Sequence, residues 1–419
     1  MLIPLFEWFD KLGISGTGVM QYVTFRALLA FIFALILATL VGNKIIDYLR
    51  HHQIGDMPRD IGVDGFDLKK GTPTMGGVII FIAIVVPALL FCDLTNVYVW
   101  LMLATTVILT SLGFLDDYIK VFRKNKEGLS GKWKIVGQIA VGLILGLTLY
   151  LDSDVVIREN VETVQTEEIT QINYSQHDIK STQTTIPFVK NNNFDYKWLA
   201  SALPDDWQQT AGWIIFIIVV IFIVTGTSNG SNLTDGLDGL TAGICAIIGL
   251  GLMILAYVSS HIEFASYLNI MYIPGAQEVF IYMAAFTGAC MGFLWFNGYP
   301  ARVFMGDTGS LMLGGLIATV AIILHKEIML ILFCGVFLVE SISVMMQRGY
   351  YKYSRRRTGN PVRIFRRAPL HHHFQMEPGS VESLIKRPSH KWHEQTIVLR
   401  FWLITVLLCA FAIITLKIR

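Results

Sequence analysis

Charge is what this sequence has least of: Asp, Glu, Lys and Arg make up 15% of its 419 residues, against about 25% in ordinary globular chains. So sparse a charged surface excludes a soluble globular domain. Cysteine is scarce too. Cys92, Cys245, Cys290, Cys334 and Cys409 all lie inside apolar runs with no C-x-x-C spacing, which speaks against both a disulfide frame and a thiolate metal site. The beginning of the chain lacks a basic stretch and a small-residue cleavage site, so no cleaved signal peptide is expected. Leu5, Phe6, Trp8, Phe9 and Leu12 predict a short interfacial helix there instead. The net charge of +2 is uninformative as a sum, because the placement of Lys and Arg is what matters, and no nucleic-acid partner is expected.

What is present is apolar: 53% of the residues are hydrophobic and the mean hydropathy is +0.55. About twenty apolar residues cross a bilayer. By that rule the chain is an all-α polytopic membrane protein with about ten transmembrane helices, near Tyr22–Val41, Gly76–Cys92, Tyr98–Leu115, Ile135–Leu151, Trp213–Thr227, Leu240–Val258, Val279–Phe296, Leu311–Leu324, Ile328–Met346 and Ile397–Thr415. Lys and Arg concentrate before the second, after the third and after the ninth of these, all on one side of the alternation. The excess of basic residues marks the cytoplasmic face, so both termini are expected outside. Residues 1–419 read as a single catalytic domain, with 152–210 a polar extracytoplasmic insertion where Val155–Thr170 alternates partly with period two.

The third run ends in Leu115-Asp116-Asp117-Tyr118-Ile119-Lys120. A carboxylate at mid-bilayer costs roughly 2.5–3.5 kcal/mol on insertion scales, so the pair belongs at the membrane edge or faces protein and water. Asp116 and Lys120, at i and i+4, would by themselves make only a modest helix-end ion pair. Four polar segments fall on the same face. Lys69-Lys70-Gly71-Thr72-Pro73-Thr74-Met75-Gly76-Gly77 leads into the second helix, and a helix N-terminus with glycines favours an anion such as phosphate; it lacks the GK[ST] of a P-loop. Asn232, Asp235 and Asp238 recur at three-residue intervals between the fifth and sixth helices, where one residue would suffice for capping. Asp307, between Gly306 and Gly309, opens the eighth helix either as a ligand to a metal-bound phosphate or as that helix's own cap. His371-His372-His373 lie in the basic stretch, where an extended chain would point successive rings in opposite directions and hydrogen bonds to phosphate suit them better than chelation of one ion. Carboxylates gathered with lysines and glycine-rich helix starts suit Mg²⁺, which bridges one or two carboxylates to substrate phosphates. The reaction class is transfer of a phosphoryl-linked group at the cytoplasmic membrane surface.

Leu115–Lys120, Asn232–Leu240, Phe304-Met305-Gly306-Asp307-Thr308-Gly309-Ser310 and Pro369-Leu370-His371-His372-His373-Phe374 together resemble the signatures of the phospho-N-acetylmuramoyl-pentapeptide transferases, a branch of the polyprenyl-phosphate N-acetylhexosamine-1-phosphate transferases. The resemblance runs through nearly the whole chain in matching order. It implies transfer of phospho-N-acetylmuramoyl-pentapeptide from its UDP carrier to undecaprenyl phosphate, giving lipid I and UMP, with Mg²⁺ as cofactor, an inner-membrane location, a cytoplasmic active-site cleft and a homodimer. It makes Asp307 the metal ligand, puts Asp116, Asp117 and Lys120 beside it in the catalytic group, and assigns Lys70, Thr74, Asn232, Asp235, Asp238, Phe304, His371, His372 and His373 to the substrate cleft, with Phe304 against uracil. The chain departs from the family pattern in a long 152–210 segment, in Gly230-Ser231 and in Gln375. Two other readings are the same chemistry on UDP-N-acetylglucosamine and a membrane transporter, whose ionisable groups would sit near the bilayer midplane.

Overall fold

A computed structural model describes residues 2–13, 16–52, 71–125, 127–158, 160–165, 170–174, 179–188 and 193–417. The helices, in chain order, are α1 (Leu2–Lys11), α2 (Val23–His52), α3 (Gly77–Phe91), α4 (Val97–Val121), α5 (Gly131–Leu151), α6 (Asp205–Thr234), α7 (Leu240–Ser259), α8 (Ile262–Leu268), α9 (Ala276–Asn297), α10 (Gly306–Ile323), α11 (Leu330–Phe333), α12 (Gly335–Thr358), α13 (Leu370–Gln375) and α14 (Glu394–Thr415). Each of the ten expected apolar runs is helical in its expected order. Among the described residues, eight helices are long and apolar enough to cross a membrane, and a ninth span results if the bent pair Glu327–Phe333 and Gly335–Thr358, which turns by 78°, is counted as one. The remaining run, α3, is only 15 residues long. At 1.5 Å per residue that is about 22 Å, short of a full hydrocarbon core. The chain before it stays out of the helix because residues 73–77 bond to the segment entering α10: Phe304 N–H donates to the Pro73 carbonyl, and the Gly76 and Gly77 N–H groups donate to the Phe304 and Met305 carbonyls, at 2.8, 2.8 and 2.9 Å.

Helix α10 is the axis of the bundle, with 89% of its apolar window buried, whereas α6 has 28% and lies at the rim. Small residues let neighbours reach α10 closely, as is usual where lipid supplies no hydrophobic drive between helices. A Cβ on Gly113 of α4 would lie 2.2 Å from the Asp307 carbonyl oxygen, and one on Gly77 would lie 2.2 Å from the Gly309 nitrogen. The start of α10 is therefore gripped by α4 on one side and α3 on another. At the far end a buried ion pair, Arg26 Nη2 to Glu278 Oε1 at 2.9 Å, joins α2 to α9, and Glu278 also accepts from the Asp93 N–H just beyond α3.

The polar insertion does contain strands. β1 (Asn160–Gln165) pairs antiparallel with β2 (Thr170–Tyr174), and β3 (Gln183–Thr185) with β4 (Asn193–Asp195). It is docked onto the end of the bundle opposite the carboxylates: Thr184 Oγ1 donates to the His325 carbonyl at 3.2 Å and the Tyr196 hydroxyl donates to Glu327 at 3.0 Å. The following helix starts at Asp205, within the stretch expected to be loop. Pro204 precedes it, and Asp205 and Asp206 in the first turn favour its positive end.

Candidate active site

α4 continues past its apolar run to Val121, so Asp116, Asp117 and Lys120 lie on regular helix. Asp116 and Asp117 are buried, and one oxygen from each of Asp116, Asp117 and Asp307 falls within 4.8 Å of the others. Two segments about 190 residues apart in sequence thus build one acidic cluster. The three carboxylates do different work. Asp117 caps α10: its Oδ1 accepts from the Asp307 N–H at 3.1 Å and its Oδ2 from the Thr308 N–H at 2.9 Å and the Thr308 hydroxyl at 2.6 Å. Asp307 therefore does not cap its own helix; a side chain from α4 does so. Gly306 stands at φ +72° with Asp117 Oδ2 only 2.5 Å from where a Cβ would be, so both its backbone and its lack of a side chain are required.

Asp116 and Asp307 each have one oxygen fixed and one turned into the site. The Leu129 N–H donates to Asp116 Oδ1 at 2.7 Å, and Asn232 Nδ2 donates to Asp307 Oδ1 at 2.9 Å and to Ser310 Oγ at 2.9 Å. The two Oδ2 atoms face a pair of ammonium groups. Lys120 Nζ lies 3.2 Å from Asp307 Oδ2 and closer still to Asp116 Oδ2; Lys134 Nζ lies 2.5 Å from Asp307 Oδ2 and 3.0 Å from Asp116 Oδ2. The i, i+4 pair expected from Asp116 and Lys120 is present, but it is one side of a four-membered charge cluster.

Thr74 is half-buried, and its Oγ1 would be 2.9 Å from a Cβ on Gly306, so the paired segments bring it to the cluster's edge. Phe304 is half-buried on the same ladder. Lys70 lies outside the described residues. Asn232, Asp235 and Asp238 do not share one helical face: α6 runs on through Thr234, Asp235 ends it, and Asp238 belongs to the turn before α7. Asp235 sits in that turn with its pKa pushed up to about 8, first by burial and then by the negative charges of Asp307 and Asp117. Asp238 Oδ2 accepts from the Ala301 N–H at 3.0 Å and anchors the segment leading to Phe304.

The three histidines are not extended; they form the short helix α13 and separate into distinct settings. His371 is fully buried, with Nδ1 3.3 Å from Glu340 Oε2 and Nε2 against Gly236. His373 accepts at Nδ1 from the Arg366 N–H at 3.1 Å and lies 2.7 Å through Nε2 from the Arg387 carbonyl, and burial holds its pKa below the ordinary imidazole value. Arg366, buried itself, donates to the Met376, Lys386 and Pro388 carbonyls and knits this segment together. His372 is the half-buried member, 3.2 Å from Gln375 Oε1.

Lys134 was read from the sequence only as part of the topological charge. A signal was there: it lies four residues before Gln138 on a helix that is apolar from Ile135 on apart from that glutamine and Thr148, and Gln138 is buried, donating to Ser228 Oγ at 3.1 Å and accepting from Asn229 at 2.9 Å. Thr308, which completes the cap, stood inside the quoted motif without a role.

The donor set is made of hard carboxylate oxygens without nitrogen or sulfur, which suits Mg²⁺ and does not suit zinc or copper. A family model described as glycosyl transferase family 4 matches residues 99–325, and one described as phospho-N-acetylmuramoyl-pentapeptide-transferase signature 1 matches residues 69–81. The chain is 55% identical to a phospho-N-acetylmuramoyl-pentapeptide-transferase of Parabacteroides distasonis, 56% to one of Bacteroides fragilis and 53% to one of Porphyromonas gingivalis, each alignment covering 100% of both chains. These relatives match end to end, so the overall length that includes the 152–210 segment is common to them.

Proposed function

The chain belongs to the phospho-N-acetylmuramoyl-pentapeptide-transferases of glycosyl transferase family 4, and on that footing we propose that it transfers phospho-N-acetylmuramoyl-pentapeptide from its UDP carrier to undecaprenyl phosphate in peptidoglycan synthesis. The products are lipid I and UMP. The observation that carries the chemistry is the convergence of Asp116, Asp117 and Asp307 at one end of a membrane-spanning bundle. The positive-inside pattern supports a position for that end at the cytoplasmic face of the inner membrane, where a nucleotide sugar is available. A homodimer is read from the family resemblance alone.

The geometry supports the following roles. An oxygen of the lipid phosphate attacks the β-phosphorus of the UDP-sugar; the bond from that phosphorus to the bridging oxygen breaks, and UMP carries the electron pair away. A phosphate monoester has its second pKa near 6, so the attacking group is largely dianionic at pH 7 and needs little help from a base. Asp307, held by Asn232, and Asp116, held by the Leu129 N–H, would be the ligands of a Mg²⁺ ion. When bound, the ion neutralises charge on the transferring phosphoryl oxygens. Asp117 fixes the start of α10 so that Asp307 stays in register with Asp116. Asp235 and Thr74 offer hydrogen bonds at the rim, and Phe304 offers a ring face to the base. The groups gather at helix ends and not at the midplane, which fits transfer at a surface and not carriage across it.

Purified chain supplied with undecaprenyl phosphate, Mg²⁺ and either UDP-N-acetylmuramoyl-pentapeptide or UDP-N-acetylglucosamine is expected to release UMP and to form the muramoyl-pentapeptide lipid only from the first. Weighing the lipid by mass spectrometry and identifying the nucleotide decide the matter. Release of UDP, or a product from UDP-N-acetylglucosamine alone, would overturn the assignment.

A further inference from the structure

Arg400 lies on the outward face of a membrane-spanning helix. It shares that face of α14 with Leu403, Leu407, Phe411 and Ile414, all exposed and spaced by three or four residues. A face so apolar meets lipid, and an arginine on it must bring its guanidinium up to the headgroups, because a bare charge in hydrocarbon is expensive. The structure shows where the group goes. Its Cζ stands 4.0 Å from the centroid of the Trp392 ring, which is stacked in turn on Phe374 at 4.5 Å and 6°. Trp392 is itself fixed, its N–H donating to the Phe374 carbonyl at 2.9 Å. Beside this stack opens a cavity of about 490 Å³ lined by Arg387, Pro388, Ser389, His390, Trp392 and Arg400. Its wall is braced from behind: the Arg387 carbonyl lies 2.7 Å from His373 Nε2, and the Pro388 carbonyl accepts from Arg366 at 2.6 Å. Lys391 next to it pairs with Glu377 at 3.0 Å, whereas among the described residues the side chains of Arg387 and Arg400 have no carboxylate partner. The cavity belongs to the carboxylate end of the bundle, where the Asp238 N–H donates to Glu394 at the start of α14 at 2.8 Å. A topological excess of basic residues accounts for positive charge on this side, but not for an arginine on a lipid-facing stripe with a second one across a shared cavity.

We propose that this cavity binds the headgroup of an anionic phospholipid, with the guanidinium groups of Arg387 and Arg400 on its phosphate oxygens and its acyl chains along Leu403, Leu407 and Phe411. Guanidinium presents paired N–H donors that match phosphate oxygens, and the stack on Trp392 holds one of the two groups in place beforehand. A positive cavity at headgroup level that opens onto an apolar stripe selects an amphiphile with its charge at one end. The acceptor of the transfer reaction has that form too, but its phosphate has to reach Asp116 and Asp307, whereas α14 packs on α7 and α11. A phospholipid seated here ties the segment carrying His371, His372 and His373 to the membrane surface, because Phe374 and Trp392 form the wall between them.

Native mass spectrometry of the detergent-purified chain, titrated with phosphatidylglycerol, tests this. Saturable binding is expected, and the double variant Arg387→Gln/Arg400→Gln is expected to weaken it by roughly tenfold or more, the loss of charge-assisted hydrogen bonds. Phosphatidylcholine, which carries no net charge, is expected to bind more weakly and equally to both proteins. Arg400→Lys keeps the charge without the forked donors and should fall between. Arg355→Gln, exposed on α12 and outside the cavity, should bind phosphatidylglycerol as the wild type does. Arg387→Gln alone leaves the Trp392 stack intact and makes the same comparison should the double variant fail to fold, which a thermal unfolding curve reveals. Glycerol 3-phosphate, the same phosphate chemistry without chains, is expected not to compete. Unchanged phosphatidylglycerol affinity in the folded double variant, or equal affinity of the wild type for both phospholipids, overturns the proposal. Competition by glycerol 3-phosphate overturns it in favour of a soluble phosphate ligand, and loss of undecaprenyl phosphate binding with phosphatidylglycerol binding intact overturns it in favour of the acceptor.

Discussion

Asp307→Asn is expected to lower the turnover number by at least 10²–10³, the cost of removing one preorganised electrostatic partner of a transition state, while leaving the chain folded. The fold does not depend on the Asp307 carboxylate. The N-terminal cap of α10 comes from Asp117, which binds the Asp307 backbone N–H and not its side chain. Asparagine keeps an oxygen able to accept from Asn232, whereas its amide nitrogen turns a second donor toward Lys120 and Lys134 and removes the charge a cation needs. UMP release at saturating substrates measures the first half of this expectation, and a thermal unfolding curve in detergent measures the second. Wild-type turnover in a folded Asp307→Asn protein would remove Asp307 from the chemistry.

Gly113→Ala is expected to disable the site without altering any polar group. The added methyl would lie 2.2 Å from the Asp307 carbonyl oxygen, 2.5 Å from its carbonyl carbon and 2.6 Å from the Thr308 Cα. All are backbone atoms, so nothing can rotate aside; α4 and the start of α10 must separate. That carries Asp307 away from Asp116 and pulls Thr308 off Asp117. A displacement near 1 Å at a reacting centre costs on the order of 10² in rate. Gly226→Ala in α6, where a Cβ would meet nothing within 4 Å, is the matched comparison and should be active and at least as stable as the wild type, since alanine is the better helix former. Turnover and melting temperature of the two variants separate a lost contact from a general cost of filling a membrane helix. Near-normal turnover in Gly113→Ala would mean that the α4–α10 contact does not set the register of the carboxylates.

These two residues also mark how far the sequence could be read. Asp307 was legible because a carboxylate among glycines at the end of an apolar run is expensive and therefore conspicuous, and the same reasoning found Asp116 and Asp117. The ten apolar runs were legible because length and hydropathy are local properties. Gly113 was not, because what makes a glycine necessary there is a backbone from nearly two hundred residues away. The same holds for the division of labour among the carboxylates: nothing in Asp116-Asp117 says that the second caps a distant helix. The three-residue spacing of Asn232, Asp235 and Asp238 would put their polar groups on one side of a helix, yet only the stretch through Thr234 is helical, and the bond from Asn232 to Asp307 gives that helix end its purpose. The three histidines looked equivalent, and only the buried Glu340 and the Arg366–Arg387 loop distinguish His371 and His373 from His372. Lys134 was hidden among basic residues whose shared job is topology. Its distinguishing mark, Gln138 one turn later, gains meaning only once Ser228 and Asn229 are known to lie across from it.

The central claim is that carboxylates from α4 and α10 hold one divalent cation between them. Crystals grown with Mn²⁺ and measured at the manganese absorption edge test it without reference to activity. The account predicts one strong anomalous peak within about 2.5 Å of an Asp307 carboxylate oxygen, on the side facing Asp116. A peak at the opposite end of the bundle, or none beside Asp307 at saturating Mn²⁺, would contradict it.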